Sequence, residues 1–183
     1  YYSMQIIDEK FLLCGIHLPS QLQTDENTQL VAFQSVVHDI ELAEQESGLI
    51  SSIVVGDFNR NPYEEGCLGA MYFHGIPVAN ETKKLSRTVL GNNYKMFYNP
   101  MWNLLGDFNY PPGTYYYTGN KEKNEFWNMF DQVIIRPQLR ERFVEKELRI
   151  VVKVKDQSLL NRNRHPNKSI SDHLPIVFEL KED

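Results

Sequence analysis

Residues 49–62 read LISSIVVGDFNRNP. Ile53, Val54 and Val55 form a short unbroken aliphatic run of the kind found in strands covered on both faces, and Gly56 ends it. Asp57 and Asn59 then follow directly on the strand's end. Upstream, Thr24 and Asp25 offer helix caps, and Leu30, Phe33, Val37, Ile40 and Ala43 recur at helical spacing until Gly48 closes the run. That predicts an amphipathic helix of about five turns. Before it, MQIID and FLLCGIHLP are β-rich segments separated by Asp8, Glu9 and Lys10, which predicts a hairpin with His17 at the end of its second strand. Strand, helix, strand is the signature of a crossover onto a parallel or mixed sheet, so the expected class is α/β.

The tetrapeptide GDFN occurs again at Gly106–Asn109, within MWNLLGDFNYPP. No β-branched run precedes this copy, and a proline-stiffened loop follows it, so Asp107 and Asn109 are expected to serve a turn. In an α/β sheet ligands gather at strand ends, which assigns the chemistry to Asp57 and Asn59.

The rest of the chain is read more coarsely. EEGCLGAMYF suggests a short helix, and Asn80 to Asn124 is rich in Asn, Tyr, Gly and Pro, suggesting long loops with one or two strands. MFDQVIIRP, ELRIVVKV and LPIVFEL are each expected as strands. The chain has 183 residues, 42% of them hydrophobic, enough for one domain over residues 1–183 with a substantial core. Its apolar runs are far too short to span a bilayer, so a soluble domain is expected, with the compartment open and a targeting segment upstream of Tyr1 still possible. Cys14 and Cys67 make neither a disulfide framework nor a zinc spacing and are expected as buried free thiols. The net charge of −5 is uneven: residues 132–170 hold ten Lys and Arg against four Asp and Glu. That basic third suits either a phosphate backbone or a solvated face.

Polar residues at strand ends complete the set: His17, Asp57 with Asn59, Asp131, and Asp172 with His173. Carboxylates that hold a hard cation, histidines that move a proton and an amide that orients a nucleophile are the materials for activating water on a phosphate ester. Each residue also has a structural reading. His17 suits a satisfied strand-end histidine, Asp131 a charge guarding an edge strand, and Asp172 a turn before the last strand. His38 and His74 read as surface or core histidines, and His165 as part of a basic loop.

IVVGDFN, followed by WNMFDQVI and SDHLPIVFEL, with a strand-borne HLP upstream, resembles the endonuclease/exonuclease/phosphatase superfamily in motif order and approximate spacing. The resemblance implies a deoxyribonuclease I-like, four-layered α/β sandwich with mixed sheets flanked by helices. It implies a phosphodiesterase dependent on Mg2+ or Mn2+. Asp57 would orient and deprotonate the attacking water, with Asn59 fixing that water or a phosphate oxygen. His173 would contact the scissile phosphate, held in its tautomer by Asp131, and Asp172 would belong to the metal site. His17 matches the acid on the leaving group in some branches of the superfamily. Thr114 resembles the threonine of the loop before the Asp131 strand, and Trp127 suits either substrate stacking or the core. The expected substrate is a polynucleotide, gripped by Arg162, Arg164 and Lys168 and stacked on the aromatic loop NYPPGTYYYTGN, with a phospholipid head group or small phosphoester as the alternative. The family's earlier strands, one bearing an Asn and one ending in a Gln-Glu pair that supplies a metal ligand, have no match here. The chain is therefore expected to be the later two-thirds or so of the domain, or else a non-catalytic binding module of the same fold.

Overall fold

The computed structural model describes residues 2–6, 9–21, 23–120 and 122–181, with residues 2–6 and 9 described through their backbone alone. β1 (Tyr2–Ile6) and β2 (Glu9–His17) pair antiparallel as the expected hairpin, but of the three residues expected to turn it Glu9 and Lys10 open β2, and Asp8 lies outside the described residues. The helix α1 (Glu26–Ser47) begins where Asp25 accepts a hydrogen bond from Thr28 N at 3.0 Å and ends at Gly48, whose φ of 70° is the left-handed stop that glycine takes readily. At 22 residues it runs about six turns, one more than the apolar spacing predicts. Its buried line is Gln29, Phe33, Ile40 and Glu44, whereas Leu30, Val37 and Ala43 are half-buried. The phase of the stripe was legible. Its two polar ends were not.

β3 (Ser52–Asp57) runs parallel to β2, so the predicted crossover is present. There follow α2 (Glu65–Leu68), β4 (Gly75–Ile76), the hairpin of β5 (Ser86–Val89) with β6 (Asn92–Lys95), and β7 (Phe97–Tyr98). A second hairpin joins β8 (Tyr115–Tyr116) to β9 (Trp127–Asn128), and β10 (Asp131–Ile135) enters the main sheet, whose six strands lie in the order β1-β2-β3-β10-β7-β4. β10 is thus an interior strand, antiparallel to β3, and Asp131 is not an edge guard.

ELRIVVKV is two strands rather than one. β11 (Arg149–Ile150) pairs with β14 (Ile176–Val177), and β12 (Lys153–Val154) pairs with β13 (Gln157–Ser158). The backbone changes partner in between: Val151 N donates to Pro175 O, while Val152 O accepts from Leu159 N. LPIVFEL likewise contributes two residues to a ladder, plus a bridge from Leu180 to Phe143.

Alternation along the central strands divides the core. Val54 and Ile134 face α1 and α2, packing with Phe33, Ile40, Phe58, Cys67 and Phe73. Ile53, Val133 and Ile135 face the other way, onto Met101, Met129, Leu139 and Phe143, with Ile150 and Ile176 of the small β11–β14 sheet and Phe178 just past it against them. Burial on both faces is the reason these strands read as continuous apolar runs. Both cysteines are free and buried, and burial pushes the Cys67 thiol far up. The chain is a mixed α/β protein with several sheets and few helices. Among the described residues no helix is long and apolar enough to cross a membrane.

Candidate active site

Backbone register brings the first three candidates into one row. His17 pairs with Asp57 across β2 and β3, and Asp57 pairs with Asp131 across β3 and β10, so three adjacent strands present these side chains at one rim. Gly56 permits the closeness: its φ is +146°, and a Cβ there would lie 2.0 Å from Ile16 O. Just past the row, Leu18 N donates to Asp57 O at 2.9 Å and Phe58 N to Phe130 O at 2.8 Å, which ties the three strand ends together.

Asp57 is held from its own turn. Asn59 N donates to its Oδ1 at 2.8 Å and Asn59 Nδ2 to its Oδ2 at 3.0 Å, while His17 Nε2 stands 3.6 Å from Oδ2. Asn59 has the left-handed φ of 50° that asparagine tolerates, and its Nδ2 also donates to Leu18 O at 2.8 Å. Both amide hydrogens are therefore taken, one by Leu18 O and one by Asp57 Oδ2. Burial raises the Asp57 pKa, helped by the charge of Asp131, against the lowering influence of Asn59 N–H, His173 and His17. A carboxylate so desolvated is a stronger base than one in water.

His173 arrives from the loop before β14. Its Nδ1 lies 2.8 Å from Asp131 Oδ2, which fixes Nδ1 as the protonated nitrogen and turns Nε2 outward from the pair. Burial, the largest single influence, disfavours its charge, but the hydrogen bond to Asp131 and the charges of Asp131, Asp57 and Asp172 together outweigh burial and raise its pKa. The ring also packs against Tyr115, centroids 4.8 Å apart, and the two residues share a backbone bridge. Thr114 has no exposed surface. Its Oγ1 accepts from Asp131 N at 3.0 Å and its carbonyl from Leu174 N at 2.9 Å, so it positions both members of the Asp131–His173 pair and reaches a substrate through them rather than directly.

A cleft of about 840 Å³ is lined by His17, Asp57, Asn59, Asp131, Asp172 and His173. Six of the sequence candidates thus meet in one cavity. The others do not line it. Trp127 is half-buried and packs edge-on to Tyr110, Tyr116 and His165. Arg162 and Arg164 are exposed, the latter over the Tyr110 ring at 3.8 Å, and Lys168 lines a neighbouring 350 Å³ groove that shares Asp172 with the cleft. His165 is not simply part of a basic loop: it stacks on Tyr116 in that groove. His38 is exposed and His74 buried. Asp107, Phe108 and Asn109 sit in an exposed turn closed by Asn109 N to Gly106 O, as expected for the second copy.

Tyr115 and Tyr117 of the aromatic loop line the cleft too, while Lys123, Glu125 and Asn128 also line it and were missed. Alternation in GTYYY held a signal, since a strand there sends Tyr115 and Tyr117 to one side and Tyr116 to the other. Nothing local marks Lys123.

Among the described residues no group of three or more His, Cys, Asp or Glu side chains is arranged to hold a metal ion. A hard divalent cation takes about six oxygen ligands, and Asp172 offers one exposed carboxylate, so the described residues by themselves do not fit a complete Mg2+ or Mn2+ site. The chain matches no family model and no curated protein.

Proposed function

We propose that the cleft is the catalytic face of a phosphodiesterase of the deoxyribonuclease I-like, four-layered type, cleaving a P–O bond by attack of water. The observation that carries this reading is the row His17, Asp57, Asp131 with His173 bonded to Asp131 at 2.8 Å, all within one cleft. In it Asp57 takes a proton from water as the water oxygen attacks phosphorus. Protonated His173, kept charged by Asp131, donates from Nε2 to a non-bridging phosphate oxygen, where negative charge builds. The bond to the leaving oxygen breaks, and His17, whose side chain is 80% exposed at the rim, supplies its proton. The products are a phosphomonoester and an alcohol. On this reading Asp172 would be one ligand of a divalent cation, whose other ligands the described residues do not supply.

A polynucleotide is the substrate this reading favours, because Lys168 and the Tyr116 ring line the groove that shares Asp172 with the cleft, Trp127 packs on Tyr116 and Tyr110, the exposed Arg164 covers Tyr110, and Arg162 is exposed in the same loop. The test is hydrolysis of a fluorescent oligonucleotide by the full-length gene product. Replacing His173 or His17 with Ala should cost about a hundredfold or more in rate, the worth of a positioned acid or base, with folding intact. Wild-type rates in both variants would remove the reading; turnover of lipid head groups alone would redirect it to that substrate.

A further inference from the structure

The walls of the cleft are strongly acidic for a site that takes a phosphodiester. Among its described lining residues Asp57, Glu125, Asp131 and Asp172 carry carboxylates, and Lys123 is the one Lys or Arg. The basic residues that stand out in the sequence, Arg162 and Arg164, line neither the cleft nor the adjoining groove.

Lys123 is held at the cleft by its neighbour. It lies in the loop of the β8–β9 hairpin, where Asn124 Nδ2 donates to Gly119 O and Asn124 Oδ1 accepts from Phe126 N, both at 2.8 Å. Tyr117 N to Phe126 O at 2.7 Å closes the same loop. The clamp fixes the backbone beside Lys123 and leaves its side chain exposed at the cavity wall.

We propose that Lys123 selects anionic substrates for this cleft, its ammonium binding a non-bridging oxygen of the substrate phosphodiester while the histidine and carboxylate row acts on the phosphorus. The proposal rests on the phosphodiesterase reading. The lysine is a permanent point charge bound alike to ground state and transition state, so its loss raises KM and leaves kcat nearly unchanged.

The experiment titrates full-length protein with dithymidine phosphate, which carries one anionic diester, and with its uncharged methylphosphonate analogue, at low salt. Lys123→Met should weaken binding of the diester about tenfold, the worth of one charged hydrogen bond, and leave the neutral analogue unchanged. Lys123→Arg should stay within about threefold, and Lys146→Met, an exposed lysine that does not line the cleft, should match wild type. Equal diester affinity in wild type and Lys123→Met, with His173→Ala weakened, would overturn the role of Lys123 and leave the phosphodiesterase standing. Failure of the wild type to bind the diester at all would overturn both.

Discussion

Asp57 and Asp107 head the same tripeptide, Asp-Phe-Asn, yet differ in everything that makes a carboxylate reactive. Asp57 is backed by a strand, partly desolvated and ringed by His17, His173 and Asp131; Asp107 is exposed in a turn. Asp57→Asn keeps the shape and removes the base, so hydrolysis by the full-length protein should fall by several orders of magnitude. Asp107→Asn should change rate less than about threefold, since asparagine suits the turn equally. Equal losses would show that the second copy reaches the reacting phosphate. The Asp131–His173 pair makes a separate prediction. Because the folded-state pKa of His173 is raised above the ordinary 6.5, its stabilisation is present below that value and lost as pH rises through the folded one. The His173 ring signal followed by NMR should therefore titrate above 6.5, and Asp131→Asn should bring the midpoint down. An unmoved midpoint would mean the hydrogen bond does not govern the charge.

At the opposite end of β10 from the row, α1 is anchored to the sheet by a buried ion pair. Arg136, one residue past β10, meets Glu44 near the end of α1 with Nε to Oε1 at 2.7 Å, while Ser52 Oγ and Lys95 Nζ donate to the same carboxylate at 2.7 and 3.0 Å. Burial alone would raise the Glu44 pKa, but Arg136, Ser52 and Lys95 outweigh it and lower the value. The stabilisation of Glu44 is thus full above its ordinary 4.5 and lost as pH falls through the folded value. Arg136→Met leaves that carboxylate buried with its main partner gone and should cost about 3–5 kcal/mol at pH 7 by urea unfolding. The gap from wild type should narrow at pH 4, where Glu44 of the variant is protonated. A constant gap would assign the loss to packing against Phe97, whose ring Arg136 covers at 3.9 Å.

Over the entire molecule, the proposed reading assigns the diester to the acidic cleft and the rest of a polyanion to the basic surface beyond it. Neutralising Arg162, Arg164 and Lys168 together should flatten the salt dependence of single-strand binding, lowering the log–log slope by about 2, since each phosphate contact contributes about 0.7. Affinity for a dinucleotide confined to the cleft should hardly change. A slope unchanged in the triple variant would place the polynucleotide path elsewhere. On the phosphodiesterase reading the reaction also depends on a cation, so chelation should abolish hydrolysis and Mg2+ or Mn2+ restore it. Undiminished rates after thorough chelation would remove the metal from the reading.

The aliphatic run before Asp57, the helical spacing of Phe33 and Ile40 and the capping pair Asp25 and Gly48 determined the β2–α1–β3 crossover locally, because periodicity and capping are properties of neighbouring residues. The strand-end positions of His17, Asp57 and Asp131 were legible for the same reason. Tertiary structure alone decided the division of ELRIVVKV between two partners, the burial of Glu44 against Arg136 and of Gln29 against Arg60, and the arrival of Lys123 at the cleft. Each depends on a group distant in the chain: an ion pair across 92 positions, a segment whose successive residues Val151 and Val152 bond to Pro175 and Leu159 beside different strands, a loop lysine carried to the rim by a hairpin. Local pattern carries no record of such partners, since the free energy that holds a polar group inside comes from the atom that meets it there.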